Sequence, residues 1–140
     1  MRPEQGNLNV ASTNEVYMVM TDTLREIEKA HEAKFKLDEE LRFKAQCRRD
    51  KLLGLWAAEH LGMTSAQADA YAKSLVRLGL DEGGIGNVFS KVMADFGKIG
   101  VKLTQTDVTT AAKQFYAAAI EQLSKDFPKA LGRDHARVGD

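Results

Sequence analysis

Glu28-Lys29-Ala30-His31 sets a carboxylate and an imidazole three residues apart. On a helix both would face one side, which is the spacing that di-metal helical bundles use. Such a site needs the motif twice and two further carboxylates. The chain offers it once, in its most polar stretch, so a solvated helix surface is the better reading and no metal is expected. Cys47 lies beside Arg48 and Arg49, and neighbouring positive charge can lower a thiol pKa. No histidine is spaced to serve it as a base, and a lone helical cysteine ordinarily acts as a small apolar residue. Gly84-Ile85-Gly86 has the start of a dinucleotide-binding turn, without the third glycine and without a preceding strand. Gly97-Lys98 is followed by Ile99 rather than Ser or Thr, and no Ser-His-Asp set is evident. The sequence shows no catalytic apparatus and calls for no cofactor. The chain is not expected to be an enzyme.

Binding is easier to place than catalysis. Arg42, Lys44, Arg48, Arg49 and Lys51 form a local positive run opposed only by Asp50. Arg42, Arg48 and Arg49 could hold a phosphate group, a nucleotide's included, or a carboxylate-rich partner. The simpler reading is a solvated face balancing Asp38, Glu39 and Glu40 through i,i+4 pairs, each stabilising by only tenths of a kcal/mol. Phe35 and Phe43 fall off the main apolar arc, and large aromatics outside a core stripe suggest a second packing surface, within the chain or with a partner.

The elements that would position these groups are helices. A chain of 140 residues with 44% apolar content is one domain able to bury a modest core without disulfides or metal. Its formal net charge is zero, so no global field recruits nucleic acid or a membrane surface. Cys47 is the single cysteine, which excludes an intrachain disulfide and suits a reducing compartment. No apolar run reaches the roughly 20 residues that span a bilayer, and the N-terminus has the pattern of neither a signal nor a transit peptide. Residues 1–20 are polar and aperiodic and are expected to form a disordered leader, with Met18 or Met20 as candidate starts. Strong helix formers then run from Thr23 to Leu61, predicting one long first helix. Leu37, Leu41, Ala45, Leu52, Leu55 and Trp56 share about a 100° arc and are expected as core. Upstream the stripe thins to Ile27, Ala30 and Ala33, so residues 22–36 should project or fray. Gly62 ends the helix.

Thr64-Ser65-Ala66-Gln67 is a capping-box pattern opening a second helix, with Ala68, Tyr71, Leu75 and Leu78 on its inner face. After a glycine-rich loop, Asn87 is the expected cap of a third helix carrying Phe89, Val92, Met93, Phe96 and Ile99, stopped by Gly100. Thr104 to Asp107 caps a fourth, whose face holds Val108, Ala111, Ala112, Phe115, Ala119 and Leu123. Pro128 should stop it, and the polar tail from Lys129 is expected to be disordered. The fold class is therefore all-α: a four-helix bundle over 37–127 with a mobile N-terminal arm over 21–36.

Against that frame the first helix resembles a known family. The residues that carry the likeness are Glu28-Lys29-Ala30, Glu32-Ala33-Lys34-Phe35, Asp38 to Ala45, Arg48-Arg49 and Lys51 to Glu59. It continues through Ala68 to Lys73, Val88-Phe89, Lys91-Val92, Ala94-Asp95-Phe96 and Gly100-Val101, covering roughly residues 22–125. These segments are similar to the zeta subunits of alphaproteobacteria, the inhibitor subunits of the F-type ATP synthase. The resemblance implies a four-helix bundle whose mobile N-terminal arm inserts at a catalytic interface of the enzyme's head and contacts the central rotor. There it becomes helical and blocks ATP hydrolysis while permitting synthesis. Carried onto this sequence, the arm residues are Leu24, Arg25, Ile27, Glu28, Lys29, His31, Lys34 and Phe35. Ile27 stands where the family often has arginine, His31 where it often has an aromatic residue, and Cys47 and Asp50 replace commoner Ala and Asn. The implied protein is cytoplasmic, peripheral to the inner membrane through the synthase, and a monomer when free. Two rivals remain: the same fold with weak or lost inhibition, and a small phosphate- or nucleotide-binding module using Arg42, Arg48 and Arg49.

Overall fold

The computed structural model describes the backbone of residues 2–126 and the side chains of residues 17–126. Five helices follow one another: α1 Arg2–Phe35, α2 Glu39–His60, α3 Ser65–Leu80, α4 Ile85–Ile99 and α5 Gln105–Asp126. No strand occurs among the described residues. The all-helical expectation holds, but the long first helix is two helices.

The break lies at Lys36-Leu37-Asp38. Lys36 adopts a left-handed backbone with φ of 53°, and the Leu37 amide donates back to the Glu32 carbonyl at 3.3 Å. That closes α1 in the way a C-terminal glycine usually does, at a cost of about 1–2 kcal/mol for a residue bearing a Cβ. Asp38 then caps α2, its carboxylate accepting from the Leu41 amide at 2.8 Å. Glu39 and Glu40 occupy the first turn, where the helix dipole favours negative charge. The acidic run is thus a helix start, and two of its members also pair as expected, Glu40 with Lys44 at 3.2 Å and Glu39 with Arg42 at 3.9 Å. Residues 2–20, expected as a leader without regular structure, have helical backbone continuous with α1. Extending a nucleated helix costs far less per residue than starting one. The stop at Pro128 and the tail from Lys129 lie outside the described residues.

Local signals elsewhere act as read. Thr64 and Gln67 exchange reciprocal bonds at 2.9 and 3.2 Å, and Thr104 and Asp107 do the same at 2.9 and 3.1 Å. Gly62 and Gly100 follow the ends of α2 and α4 with φ of 76° and 75°. Asn87, expected as the cap of α4, does not cap it; Gly84 holds that position. Asn87 lies inside α4, and its amide donates to the carbonyls of Leu78 and Glu82, tying the end of α3 to α4.

Helix α2 packs chiefly on α3 and α5, while α1 lies on α4 and α5. Gly54 lets α2 and α3 approach: a Cβ there would sit 2.7 Å from Ala72 Cα. The buried positions of α2 are Leu41, Ala45, Arg49, Asp50, Leu53, Gly54, Ala57 and Ala58. Leu52, Leu55 and Trp56, expected as core, are only partly buried. The arc is displaced because two charged residues occupy its middle, which an apolar pattern cannot register. Trp56 packs edge-on to Phe96 and Phe115 at 6.0 and 6.4 Å. Ile99, also expected inside, is 59% exposed.

Candidate functional site

Helix α1 does not project from the bundle. Met20, Leu24, Glu28, His31 and Phe35 recur every three or four residues and turn one face inward. Met20 and Leu24 are buried in the main core with Phe89, Val88 and Val108. Phe35 and Leu37 pack on a second cluster of Ala45, Tyr116, Ala119, Ile120 and Leu123. Two fully buried aliphatic side chains contribute about 1.5–3 kcal/mol each, which the sparse stripe upstream of Leu37 did not suggest. Ile27 is half-buried, and Arg25, Lys29 and Lys34 are exposed. Lys34 reaches over the Phe35 ring, with its ammonium 5.4 Å from the centroid.

The centre of this contact is a buried triad. The Arg49 guanidinium donates to the Glu28 carboxylate through Nη1 and to Asp50 Oδ1 through Nε at 3.0 Å. All three side chains are nearly inaccessible, at 4–8% exposure. Gln46 adds a bond from Nε2 to Glu28 Oε1 at 3.3 Å, and Arg49 lies over the Tyr116 ring at 5.8 Å. Two carboxylates share one cation, so the cluster carries a net negative charge. Burial pushes Asp50 up from 3.8 to about 6, Arg49 pulls it back by charge and hydrogen bond, and Glu28 raises it further. Asp50 fits only because residue 79 is glycine, since a Cβ there would collide with its carboxylate.

Beside the triad lies a cavity of about 160 Å³, bordered by Arg25, Cys47 and Gly84. The Cys47 thiol is half-buried, and burial followed by the Asp50 charge raises its pKa against the lowering effect of Arg49. Its arginine neighbours do not activate it, so the small apolar reading suits its surroundings.

Glu28 and His31, expected on a solvated surface, both face inward. His31 stacks on Phe35 with centroids 6.1 Å apart and meets Tyr116 edge-on at 5.6 Å. His31 Nδ1 and the Tyr116 hydroxyl are buried without a hydrogen-bond partner. Burial, then the charges of Glu28 and Glu32, pushes the Tyr116 phenol well above its ordinary range. No group of three or more His, Cys, Asp or Glu side chains is arranged for a metal among the described residues. The three arginines of the basic run do not converge on a common anion position. Arg42 pairs with Glu32 at 3.3 Å and Glu39 at 3.9 Å, Arg48 with Asp126 at 3.1 Å, and Arg49 is inside the triad.

Sequence reasoning missed Arg49, Asp50 and Tyr116 as one unit. The available signal was the adjacent Arg49-Asp50 pair sitting mid-stripe between Ala45 and Leu53 on α2.

No helix among the described residues is long and apolar enough to cross a membrane. No curated protein matches the chain. A structure solved by solution NMR is 36% identical, with a TM-score of 0.53, over 62% of this chain and 99% of that one. The family model described as ATPase inhibitor subunit zeta matches residues 20–122. That span runs from the buried Met20 to the last turns of α5, so it takes in both the docked part of α1 and the bundle that holds it. The chain therefore belongs to the ATPase inhibitor subunit zeta family, as a non-catalytic regulatory protein.

Proposed function

We propose that the chain inhibits ATP hydrolysis by the F-type ATP synthase, with residues 21–36 as the arm that enters a catalytic interface of the head and meets the central rotor. The observation that carries this reading is the break between α1 and α2. A helix joined to the bundle by three residues, one of them Lys36 at positive φ, can leave as a unit without unfolding α2, because Asp38 caps α2 independently. Its exposed side offers Arg25, Lys29 and Lys34, and its inner side offers Leu24, Ile27, Glu28, His31 and Phe35. A few buried anchors of this kind usually dominate an interface. Ordering or relocating the arm costs on the order of 2–5 kcal/mol of contact energy, which suits reversible control. The protein acts on the cytoplasmic side, peripheral to the membrane, and is a monomer when free. Titrating the purified chain into the synthase while following hydrolysis and synthesis separately tests the reading. Inhibition of hydrolysis with synthesis retained supports it. Unchanged hydrolysis at saturating chain would favour a family member that has lost inhibition.

A further inference from the structure

The structure raises a question about the arm that the inhibitory reading leaves open. The residues offered to a partner, Leu24 and Glu28 above all, are among the least accessible in the molecule. They cannot be engaged while α1 lies on α4 and α5. We propose that the docked arm is an autoinhibited state of the inhibitor, latched by Arg49 bridging Glu28 of the arm to Asp50 of the bundle, and that loss of the Asp50 proton opens the latch. The proposal rests on the inhibitory reading for its functional consequence, on geometry for the latch, and on the burial and charge around Asp50 for its proton dependence.

Three features make the triad suited to release. Arg49 and Asp50 belong to α2, and only Glu28 belongs to the arm, so release leaves Arg49 with a partner. A buried cation whose sole counter-charge departs would resist opening strongly, whereas Arg49 keeps a carboxylate in both states. Second, Glu28 and Asp50 compete for one guanidinium. When both are ionised the docked state confines an excess negative charge, and release separates the two carboxylates and lets water reach them. Third, Lys36 at the hinge holds an unfavourable left-handed backbone, and reorienting the arm can relieve it.

The proton follows from the same arrangement. The charged or titratable groups that share the cavity with Asp50 are Arg49 and Cys47 from α2 and Arg25 and Glu28 from α1, and of these Arg49 and Glu28 act on its charge. The end of α3 and the start of α4 present Gly79, Leu80, Gly84 and Ile85, none of them titratable. From α5, Tyr116 lies against Arg49. Burial under the arm and the nearby Glu28 both disfavour the Asp50 anion, and both influences weaken when α1 leaves. The docked state therefore binds the Asp50 proton more tightly than the released state, so docking is favoured as pH falls and release as pH rises through about 6.

The test uses the full chain, with hydrogen-exchange protection of the amides of residues 20–35, corrected for intrinsic rate, at about pH 5 and about pH 8. Wild type should lose about tenfold in arm protection between those values, the change expected when the two states differ by about one pKa unit. Asp50→Asn keeps an acceptor for Arg49 and removes the competing charge. It should hold the arm protected at both pH values and inhibit hydrolysis less than wild type near pH 8. The double variant Arg49→Met with Asp50→Asn leaves Glu28 without a counter-charge, held only by the Gln46 amide, and spares the bundle a second stranded charge. Its arm should be unprotected at both pH values and its inhibition stronger than that of Asp50→Asn. Protection in Asp50→Asn equal to that of wild type near pH 8 would overturn the latch. Inhibition that rises with arm protection would overturn the autoinhibition. If no variant and no wild-type chain inhibits, the inhibitory reading fails, and the exchange data still decide the latch.

Discussion

Replacing Asp50 by Asn should stabilise the protein, and by an amount that depends on pH. Asp50 is 5% exposed and hydrogen-bonded to Arg49, so the usual expectation is that losing a buried ion pair costs stability. Here burial and Glu28 together outweigh Arg49 and hold its pKa at about 6 instead of 3.8. A shift of about two units corresponds to about 3 kcal/mol. The sign follows from proton binding. Between 3.8 and about 6 the folded chain holds a proton that the unfolded chain has lost, so ionising Asp50 lowers stability across that window. The cost is fully present above about pH 6 and absent below 3.8. Asn keeps the shape and the acceptor without the charge. Near neutral pH the variant should gain about 1–3 kcal/mol, or roughly 3–9 °C in Tm for a chain of this size, and the gain should vanish near pH 4. Urea and thermal melts of both proteins from about pH 4 to about pH 8 measure it. A variant less stable than wild type at neutral pH, or a difference that does not change with pH, would refute the reasoning.

Tyr116→Phe removes a buried hydroxyl that has no partner and should be neutral or stabilising by about 1 kcal/mol in urea unfolding; a loss above 1 kcal/mol would mean the hydroxyl is bonded. Gly54→Ala should cost about 1–3 kcal/mol despite alanine's better helix propensity, because the new methyl meets the Ala72 backbone; an unchanged denaturation midpoint would show that α2 and α3 can part freely. Trp56→Ala should cost about 2 kcal/mol, below the 3–5 kcal/mol typical of a buried aromatic, since the indole is only partly covered. Its fluorescence should likewise lie between the buried and the fully exposed extremes.

What the sequence makes legible is local. Thr64 with Gln67, Thr104 with Asp107, Gly62 and Gly100 carry their instructions within four residues, and each marks a helix end where expected. The inner faces of α3 and α5 are similarly readable, because Tyr71, Leu75, Val108 and Ala112 repeat at helical spacing without charged interruption. The break at Lys36 escapes because its left-handed residue is not a glycine, and the capping role of Asp38 is hidden within an acidic run. The docking of α1 escapes for a different reason. Glu28 reads as surface until its partner is known, and that partner, Arg49, is 21 residues away on another helix. Phe115 and Tyr116 are adjacent aromatics on α5, yet the tyrosine is fully buried and the phenylalanine only partly so. Long-range charge pairing has no periodicity to read. Consequently the packing of α1 on the bundle is the least visible feature in the sequence.

The most direct test of the inhibitory account separates the arm's partner-facing chemistry from its fold. Lys29 and Lys34 are exposed on α1 while the arm is docked, and the contact of Lys34 with Phe35 is a surface one, so Lys29→Glu with Lys34→Glu should lower stability by no more than about 1–2 kcal/mol and leave the protein folded. The measurement is hydrolysis by the F-type ATP synthase against added chain, wild type beside the double variant. The account predicts inhibition by wild type and at least about tenfold weaker inhibition by the variant, equivalent to losing about 1.4 kcal/mol of interface energy. Equal inhibition by the two folded proteins would contradict it, because the inserting surface would then not be α1.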